Sequence, residues 1–249
     1  SGLGVARDLH DSGYKVTVLE ARNKIGGRID TDRSLGFPLE RGANWIHSNQ
    51  VEGNQLMSLK EELGLKTNIS TLDPFDFKLF NKEGEVVTLS EEDFEKIEFR
   101  VGLAAYIASY VKPSSTLGDV ISLLKSLGLL SFAPDVVLKA ILQQLELGAA
   151  EDEENIPVGA LISEYAYMED AGDDEEVFGG FDQFTNHLSK SLDIKLNSPV
   201  SKINYLSDKI EVFANDKAYI ADVVVISVSL GVLQKNLIEF IPDLPVEKK

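Results

Sequence analysis

Apolar and polar positions alternate near the start of the chain, where YKVTVLE, residues 14–20, sets Val16 and Val18 two apart and closes on an acid, Glu20. This predicts a strand. Just before it, Leu3, Ala6 and Leu9 recur at helical spacing between Ser1 and Gly13, which predicts a helix over 1–12 with Gly13 as its stop. Leu56, Leu59 and Leu63 share one face of a helix within 49–64. Residues 77–80 and 85–89 flank Asn81-Lys82-Glu83-Gly84 and predict a β-hairpin.

Three helices are expected next. Ser90-Glu91-Glu92-Asp93 has the pattern of a capping box and opens a stripe of Phe94, Ile97, Val101, Ala104, Ala105 and Ala108. Thr116-Leu117-Gly118-Asp119 opens the second in the same way. Pro134 suits the first turn of the third, which runs through Val137, Ile141, Leu145 and Leu147 to Gly148. Another helix is expected over 182–192. Short strands are expected at 194–196, 200–205 and 209–214, with turns at Ser207-Asp208 and Asn215-Asp216, and a further one at 218–220. VVVISVSLGVL, residues 223–233, begins as the continuous apolar run of a parallel strand buried on both faces. A helical block between β-rich parts predicts a second domain interrupting the first. The boundaries are 1–75 and 176–235 for the first domain, 76–175 for the insertion, and 236–249 for the opening of a further segment of it.

With 249 residues, 43% apolar and 26% charged, the chain has the composition of a soluble globular protein able to bury a large core. No apolar run approaches the roughly 18 residues of a membrane span. The absence of cysteine removes disulfides and thiolate metal sites, and three histidines (His10, His47, His187) argue against a histidine-rich one, so no metal is expected. The net charge of −17 argues against nucleic acid as a partner. It keeps the protein solvated, and much of it lies in two runs, 151–154 and 169–176, expected to be solvated loops. Its second reading is the steering of a cationic ligand. The chain opens at Ser1, directly in a predicted helix, and closes on Lys248-Lys249 after a proline-containing turn. Both ends are read as cut, so they carry no targeting information. A soluble protein of the cytoplasm or peroxisome is the working expectation.

The candidate chemistry sits around residues 14–28. A strand that ends in a carboxylate after a short helix is how dinucleotide-binding folds hold a ribose, which makes Glu20 a ribose ligand. Arg22, Gly26, Gly27 and Arg28 supply positive charge and side-chain-free backbone where phosphates can come close. Gly2 stands where the third glycine of G-x-G-x-x-G lets a helix pack closely on the first strand. The other two glycines and that strand would lie upstream of Ser1. These features alone fit a nicotinamide or a flavin, or the helix and strand of any α/β domain. In ERGANWIH, residues 40–47, Gly42 and Ala43 let backbone approach a flat ring, Trp45 can pack on one, and His47 can face a substrate. Taken without context, the favoured reading is that Trp45 is a core anchor and His47 a satisfied, partly buried histidine.

Taken in order, these segments resemble the flavin-dependent amine oxidase family, and among its branches the polyamine oxidases. SGLGVARDLHDSGYKVTVLEARNKIGGRI is similar to the tail of the family's FAD fingerprint with its ribose acid and GGR motif. RGANWIH resembles its segment beside the isoalloxazine, and FGGFDQF its motif after the first substrate-domain insertion. Residues 197–203 and 221–233 resemble its adenine-side strand and a later strand. Five matches in the right order are specific where one is weak.

The resemblance implies an α/β fold: a Rossmann-like FAD-binding domain, incomplete because its first strand is missing, with an inserted α+β substrate-binding domain. It implies FAD as cofactor, with Glu20 and Ala21 at the adenosine ribose and Gly2 bringing a helix N-terminus to the pyrophosphate. Arg22, Gly27 and Arg28 would lie along the phosphate and ribityl chain. Gly42, Ala43, Asn44 and Trp45 would line the ring system, and Val200 would offer backbone hydrogen bonds to the adenine. His47 falls where polyamine-oxidising members place a histidine near the substrate amine.

The implied reaction oxidises an amine's C–H beside nitrogen. A hydride equivalent passes to flavin, the imine hydrolyses, and oxygen takes the electrons to give hydrogen peroxide. A monoamine oxidase, a protoporphyrinogen- or carotenoid-type flavoprotein, or a non-catalytic remnant with an incomplete flavin site are the alternatives. Three residues depart from the family pattern: Ser48 stands for a common glycine, Ser229 for a common proline, and Arg41 for an apolar residue, adding charge beside the ring. The family's lysine opposite the flavin would lie after Lys249.

Overall fold

The helix Gly2–Asp11 forms where its apolar period predicts, burying Ala6, and it ends at Gly13. There φ is +86°, and the Gly13 and Tyr14 N–H groups donate to the His10 and Leu9 carbonyls at 2.9 and 3.0 Å. This is the double closure for which a glycine just past the helix is suited. In this computed structural model residues 1–70, 79–88, 90–149, 151–168, 172–245 and 248 are described. They fall into two units, one of Ser1–Ile46, Leu56–Asn68 and Glu176–Lys249, the other of His47–Gln55 and Ile69–Glu175.

In the first unit the predicted strand is Thr17–Leu19, paired parallel with Asp193–Lys195 in the register Val18 to Ile194. A four-stranded sheet has the order Lys217–Ala221, Ile210–Ala214, Val200–Asn204, Glu239–Ile241. The first three strands are antiparallel, and Glu239–Ile241 runs parallel to Val200–Asn204. Ile203, Val212 and Ile238 form its core, with Leu19, Val200 and Val224 packed against them. A second core joins Ile46, Phe181 and Phe184 to Leu56, Leu59 and Leu63 from the helix Gln55–Leu63.

The second unit is mainly helical: Glu91–Val111, Leu117–Ser126, Asp135–Ala149 and Val158–Met168. Ser90 Oγ accepts from the Asp93 N–H at 3.1 Å, and Thr116 with Asp119 closes a reciprocal capping box, as expected from the sequence. Ile97, Val101, Leu117, Val120, Val137 and Val158 are among the residues of one contiguous core. The predicted hairpin is present as Leu79–Phe80 paired antiparallel with Val86–Val87, while Phe77, Lys78 and Leu89 lie outside the described residues.

Four expectations are corrected. The apolar run from Val223 is not a buried strand: no ladder is assigned over 223–229, and Val223 and Val225 are 74% and 53% exposed. A run buried on both faces needs a neighbour on each side, and among the described residues none pairs with it. The helix expected over 182–192 ends at Leu188, and Ser191 follows in a left-handed turn with φ +62°. The acidic run 169–176, expected to be a solvated loop, includes the strand Asp174–Val177, in which Glu175 is buried; Glu169 and Asp170 lie outside the described residues. A fourth helix, Val158–Met168, falls where the sequence predicts none.

Candidate cofactor site

The strand Thr17–Leu19 delivers Glu20 to its end, where the Glu20 N–H extends the ladder by donating to the Lys195 carbonyl at 2.9 Å. The Glu20 carbonyl accepts the Ser198 N–H and the Arg22 carbonyl accepts the Asn197 N–H, both at 2.8 Å. Those bonds stitch the turn after the strand to the segment leading into Val200. The Glu20 carboxylate is half-buried and accepts the Arg22 N–H through Oε1 at 2.8 Å. Ala21 beside it is exposed. At Val200 the ladder shifts register before Lys202, a bulge of the kind that turns backbone groups out of a sheet.

The paired glycines form a tight turn. Gly26 has φ +113°, and a Cβ there would stand 2.4 Å from the Ile29 carbonyl oxygen. Gly27 has φ +61°, and its carbonyl accepts from Arg22 Nη1 at 3.1 Å. One residue on, the Arg28 carbonyl accepts the Ala43 N–H at 3.1 Å. A Cβ on Gly42 would stand 1.9 Å from that same oxygen, so only glycine fits. Gly27, Arg28, Gly42 and Ala43 are thus one local structure, and the Arg28 guanidinium is exposed, with no hydrogen bond or ion pair among the described residues.

Asp30 lies at the centre of this basic turn, and sequence reasoning missed it. Its carboxylate, 17% exposed, accepts from Lys24 Nζ and from Arg41 Nη2 at 3.1 Å, with Arg22 Nη2 at 3.8 Å. Hydrogen bonds from Lys24, then Arg41, hold the Asp30 carboxyl below the ordinary aspartate range. Arg41 also reaches Asp32 at 3.2 Å. The charge of Arg41, expected to stand beside a ring, is therefore committed to two aspartates. The signal was present in the sequence as Asp30 standing between Arg22, Lys24 and Arg28 on one side and Arg33 and Arg41 on the other.

Asn44 and Trp45 are half-buried, and Trp45 opens the short strand Trp45–Ile46, whose Ile46 is fully buried against Phe181 and Phe184. Gly2 opens the first helix against Ser227, whose Oγ would be 2.4 Å from an added Cβ. Ser1 makes no side-chain cap there, which leaves first-turn N–H groups available to an anion. The FGGFDQF motif has a holding role. Glu40, a second residue missed in the sequence, accepts the Phe181 N–H at 2.7 Å and the Thr31 hydroxyl, while Arg33 binds Asp182 at 2.6 Å and the Gly179 carbonyl at 2.8 Å. These bonds lock the hairpin of Thr31–Asp32 and Leu39–Glu40 to the start of the helix Asp182–Leu188.

His47 belongs to the second unit and is exposed rather than partly buried. Its side chain is 66% exposed and its Nδ1 lies 2.9 Å from Asp174 Oδ1. Asn54 Nδ2 donates to the His47 and Ser48 carbonyls at 2.9 and 3.1 Å. Asn49 Nδ2 donates to the buried Glu175 at 3.1 Å, and the Asp173 N–H donates to Asn49 Oδ1 at 2.9 Å. Among the described residues no group of three acids, histidines or cysteines is placed to hold a metal ion, and no helix is long and apolar enough to cross a membrane.

Against this geometry stand the similarities to known proteins. A family model described as flavin containing amine oxidoreductase matches residues 1–249. Polyamine oxidase 5 of Oryza sativa subsp. japonica is 33% identical over 98% of this chain and 52% of its own length. Lysine-specific histone demethylase 2 of Homo sapiens is 30% identical over 100% of this chain and 31% of its own length. Among solved structures, cyclohexylamine oxidase from Brevibacterium oxydans IH-35A has a TM-score of 0.72 at 22% identity, over 100% of this chain and 59% of that one. Putrescine oxidase bound to putrescine has a TM-score of 0.65 at 23% identity, over 100% of this chain and 60% of that one. At these identities the structures share the fold. The chain spans about half the length of the polyamine oxidases it matches and about a third of the histone demethylase.

Proposed function

Since the chain belongs to the flavin-containing amine oxidoreductase family, we propose that the full-length protein oxidises amines, polyamines foremost, with FAD as cofactor and oxygen as acceptor, releasing hydrogen peroxide. The observation that carries this reading is the cradle at Gly42: backbone without room for a Cβ, bonded to Arg28, whose guanidinium is open. Such a place suits a ligand that is flat at one end and anionic at the other.

When bound, the flavin supplies a two-electron acceptor for the C–H bond beside the amine nitrogen. The chain's own residues hold and orient. Glu20, with Ala21, accepts the ribose hydroxyls in charge-assisted bonds. Gly2 offers the helix N-terminus to the pyrophosphate. Arg28 contributes the open cation beside Gly27, and Arg22 shapes the turn through the Gly27 carbonyl. Gly42, Ala43, Asn44 and Trp45 line the ring, and the bulged backbone at Val200 serves the adenine. In the second unit Asp174 meets His47 at Nδ1 and orients the exposed imidazole that we assign to the substrate amine. The acids around it favour a polycation.

We assign 1–75 and 176–235 to the FAD-binding domain, 76–175 to an inserted α+β substrate-binding domain, and 236–249 to the opening of its next segment. The helices between Glu91 and Met168 in the second unit support that insertion. The test reconstitutes the full-length protein with FAD and follows peroxide on adding spermine, spermidine, putrescine or tyramine. A methylated lysine peptide serves as a further arm, because lysine-specific histone demethylases are among the relatives. Peroxide from a polyamine is the expected result. Peroxide from tyramine or the peptide and from no polyamine overturns the polyamine assignment.

A further inference from the structure

Five cations lie in the turn and hairpin between Arg22 and Arg41, and four are already engaged. Arg33 is held by Asp182 and the Gly179 carbonyl. Arg22 donates to the Gly27 carbonyl, Lys24 binds Asp30, and Arg41 spans Asp30 and Asp32. Only Arg28 makes no such contact among the described residues. Asp30 is what engages most of them, because one carboxylate meets Lys24 and Arg41 directly and stands 3.8 Å from Arg22.

We propose that Asp30 is a positioning residue for the cofactor's diphosphate. It ties up Arg22, Lys24 and Arg41, fixing both the Gly26–Gly27 turn and the strand end at Arg41–Gly42, so that Arg28 is the one guanidinium of the turn left without a protein partner among the described residues. Both segments need fixing, because they approach one another through the Arg28 carbonyl with no space to spare at Gly42. The arrangement also explains how Arg41 is accommodated next to the small residues of the cradle: its charge is taken up by Asp30 and Asp32 before it reaches the ligand. Committed ion pairs contribute little to a ligand's field at physiological salt, whereas an open guanidinium contributes a charge-assisted, bidentate contact.

This inference rests on the flavin reading above. The experiment measures dissociation constants of full-length apoprotein for FAD, ADP and riboflavin by fluorescence, at low and high salt, beside the thermal midpoint of each apoprotein. Arg28→Gln is expected to weaken FAD and ADP at least tenfold, to flatten their salt dependence, and to leave riboflavin within twofold. Arg41→Met, which removes one of the tethers held by Asp30, weakens FAD and ADP by about threefold, less than Asp30→Asn does, with riboflavin unchanged. Asp30→Asn weakens FAD and ADP about tenfold with riboflavin unchanged, and Asp30→Glu recovers most of that loss. An Asp30→Asn protein that binds FAD as wild type does overturns the proposal, and so does one that loses all three ligands alike with a matching fall in thermal midpoint. A wild-type protein that takes up no FAD overturns the flavin reading and this inference together, an outcome distinct from either of those.

Discussion

The helical unit and the segment 223–229 are both rich in aliphatic residues, yet they meet water differently. In the helical unit Leu117 and Val158 are wholly buried. In the segment, Val223 and Val225 lie mostly in solvent, and only Val224 packs against the Ile203 core. The helices succeed because each apolar stripe faces another stripe of the same unit, so every buried face finds its cover nearby. An extended run has two faces and two edges, and it is covered only when other strands or helices arrive. The same composition therefore carries different stabilisation, at about 25 cal/mol per Å² of apolar surface removed from water.

The sharpest way to break this comparison is a pair of truncations. Leu117→Ala removes a wholly buried side chain and is expected to cost about 2–5 kcal/mol. Val225→Ala, at a mostly exposed site, is expected to stay within about 0.5 kcal/mol. Urea unfolding of both variants measures the difference. Equal losses would mean that the segment is as well covered as the helices.

A second pair contrasts two glycines of the cradle. Gly42→Ala drives a Cβ into the Arg28 carbonyl, backbone against backbone, and is expected to cost about 1–3 kcal/mol as an overpacked site together with the loss of FAD uptake. Gly27→Ala meets no atom within 4 Å and bears only the strain of its positive φ, about 1 kcal/mol. Unfolding midpoints and flavin absorbance after reconstitution separate the two. If Gly27→Ala lost more flavin than Gly42→Ala, the close approach at Arg28 would not be what shapes the site.

What the sequence made legible follows from how local each signal is. The stop at Gly13, the caps at Ser90 and Thr116 and the three antiparallel strands rest on residues within a few positions of one another, and they form as expected. The family's presence was legible in motif order, and the match over the whole chain agrees with it. Burial of Glu175 was not legible, because Asn49, which donates to it, lies 126 residues away. Nor was the exposure of Val223, since composition records what a segment is and not what stands beside it. At the site, glycines and Glu20 were read from type and position, whereas Asp30 and Glu40 matter through partners that only folding assembles.

The pH dependence of Asp30 tests the cradle in another way. Its carboxyl is held below the ordinary aspartate value of about 3.9 by Lys24 and then Arg41. A carboxylate whose folded-state value is depressed adds stability that is fully present above the unfolded value and is lost as pH falls through the folded one. Asp30→Asn lacks that contribution at every pH. Thermal melts from pH 7 downward should show wild type above the variant, with the gap closing below about pH 3.9. A gap that stays constant to pH 2 would place the effect in packing instead.

The smallest expected effects concern the two serines that depart from the family pattern. Ser48 has φ +61°, where a side chain strains the backbone and glycine does not, so Ser48→Gly is expected to stabilise by about 0.5 kcal/mol after the entropy that glycine adds to the unfolded chain. Ser229 precedes the helix Leu230–Gln234 with φ −68° and ψ 154°, and its side chain makes no cap. Proline's ring holds φ at that value, and the Ser229 hydroxyl has no capping bond to lose. Ser229→Pro is therefore expected to gain about 0.4–1 kcal/mol by narrowing the unfolded ensemble, without adding any contact. Both gains should appear as small rises in urea midpoint with an unchanged slope. A fall with Ser229→Pro would show that the Ser229 N–H or the backbone of Val228 is engaged, and that the segment 223–229 is more ordered than its exposure implies.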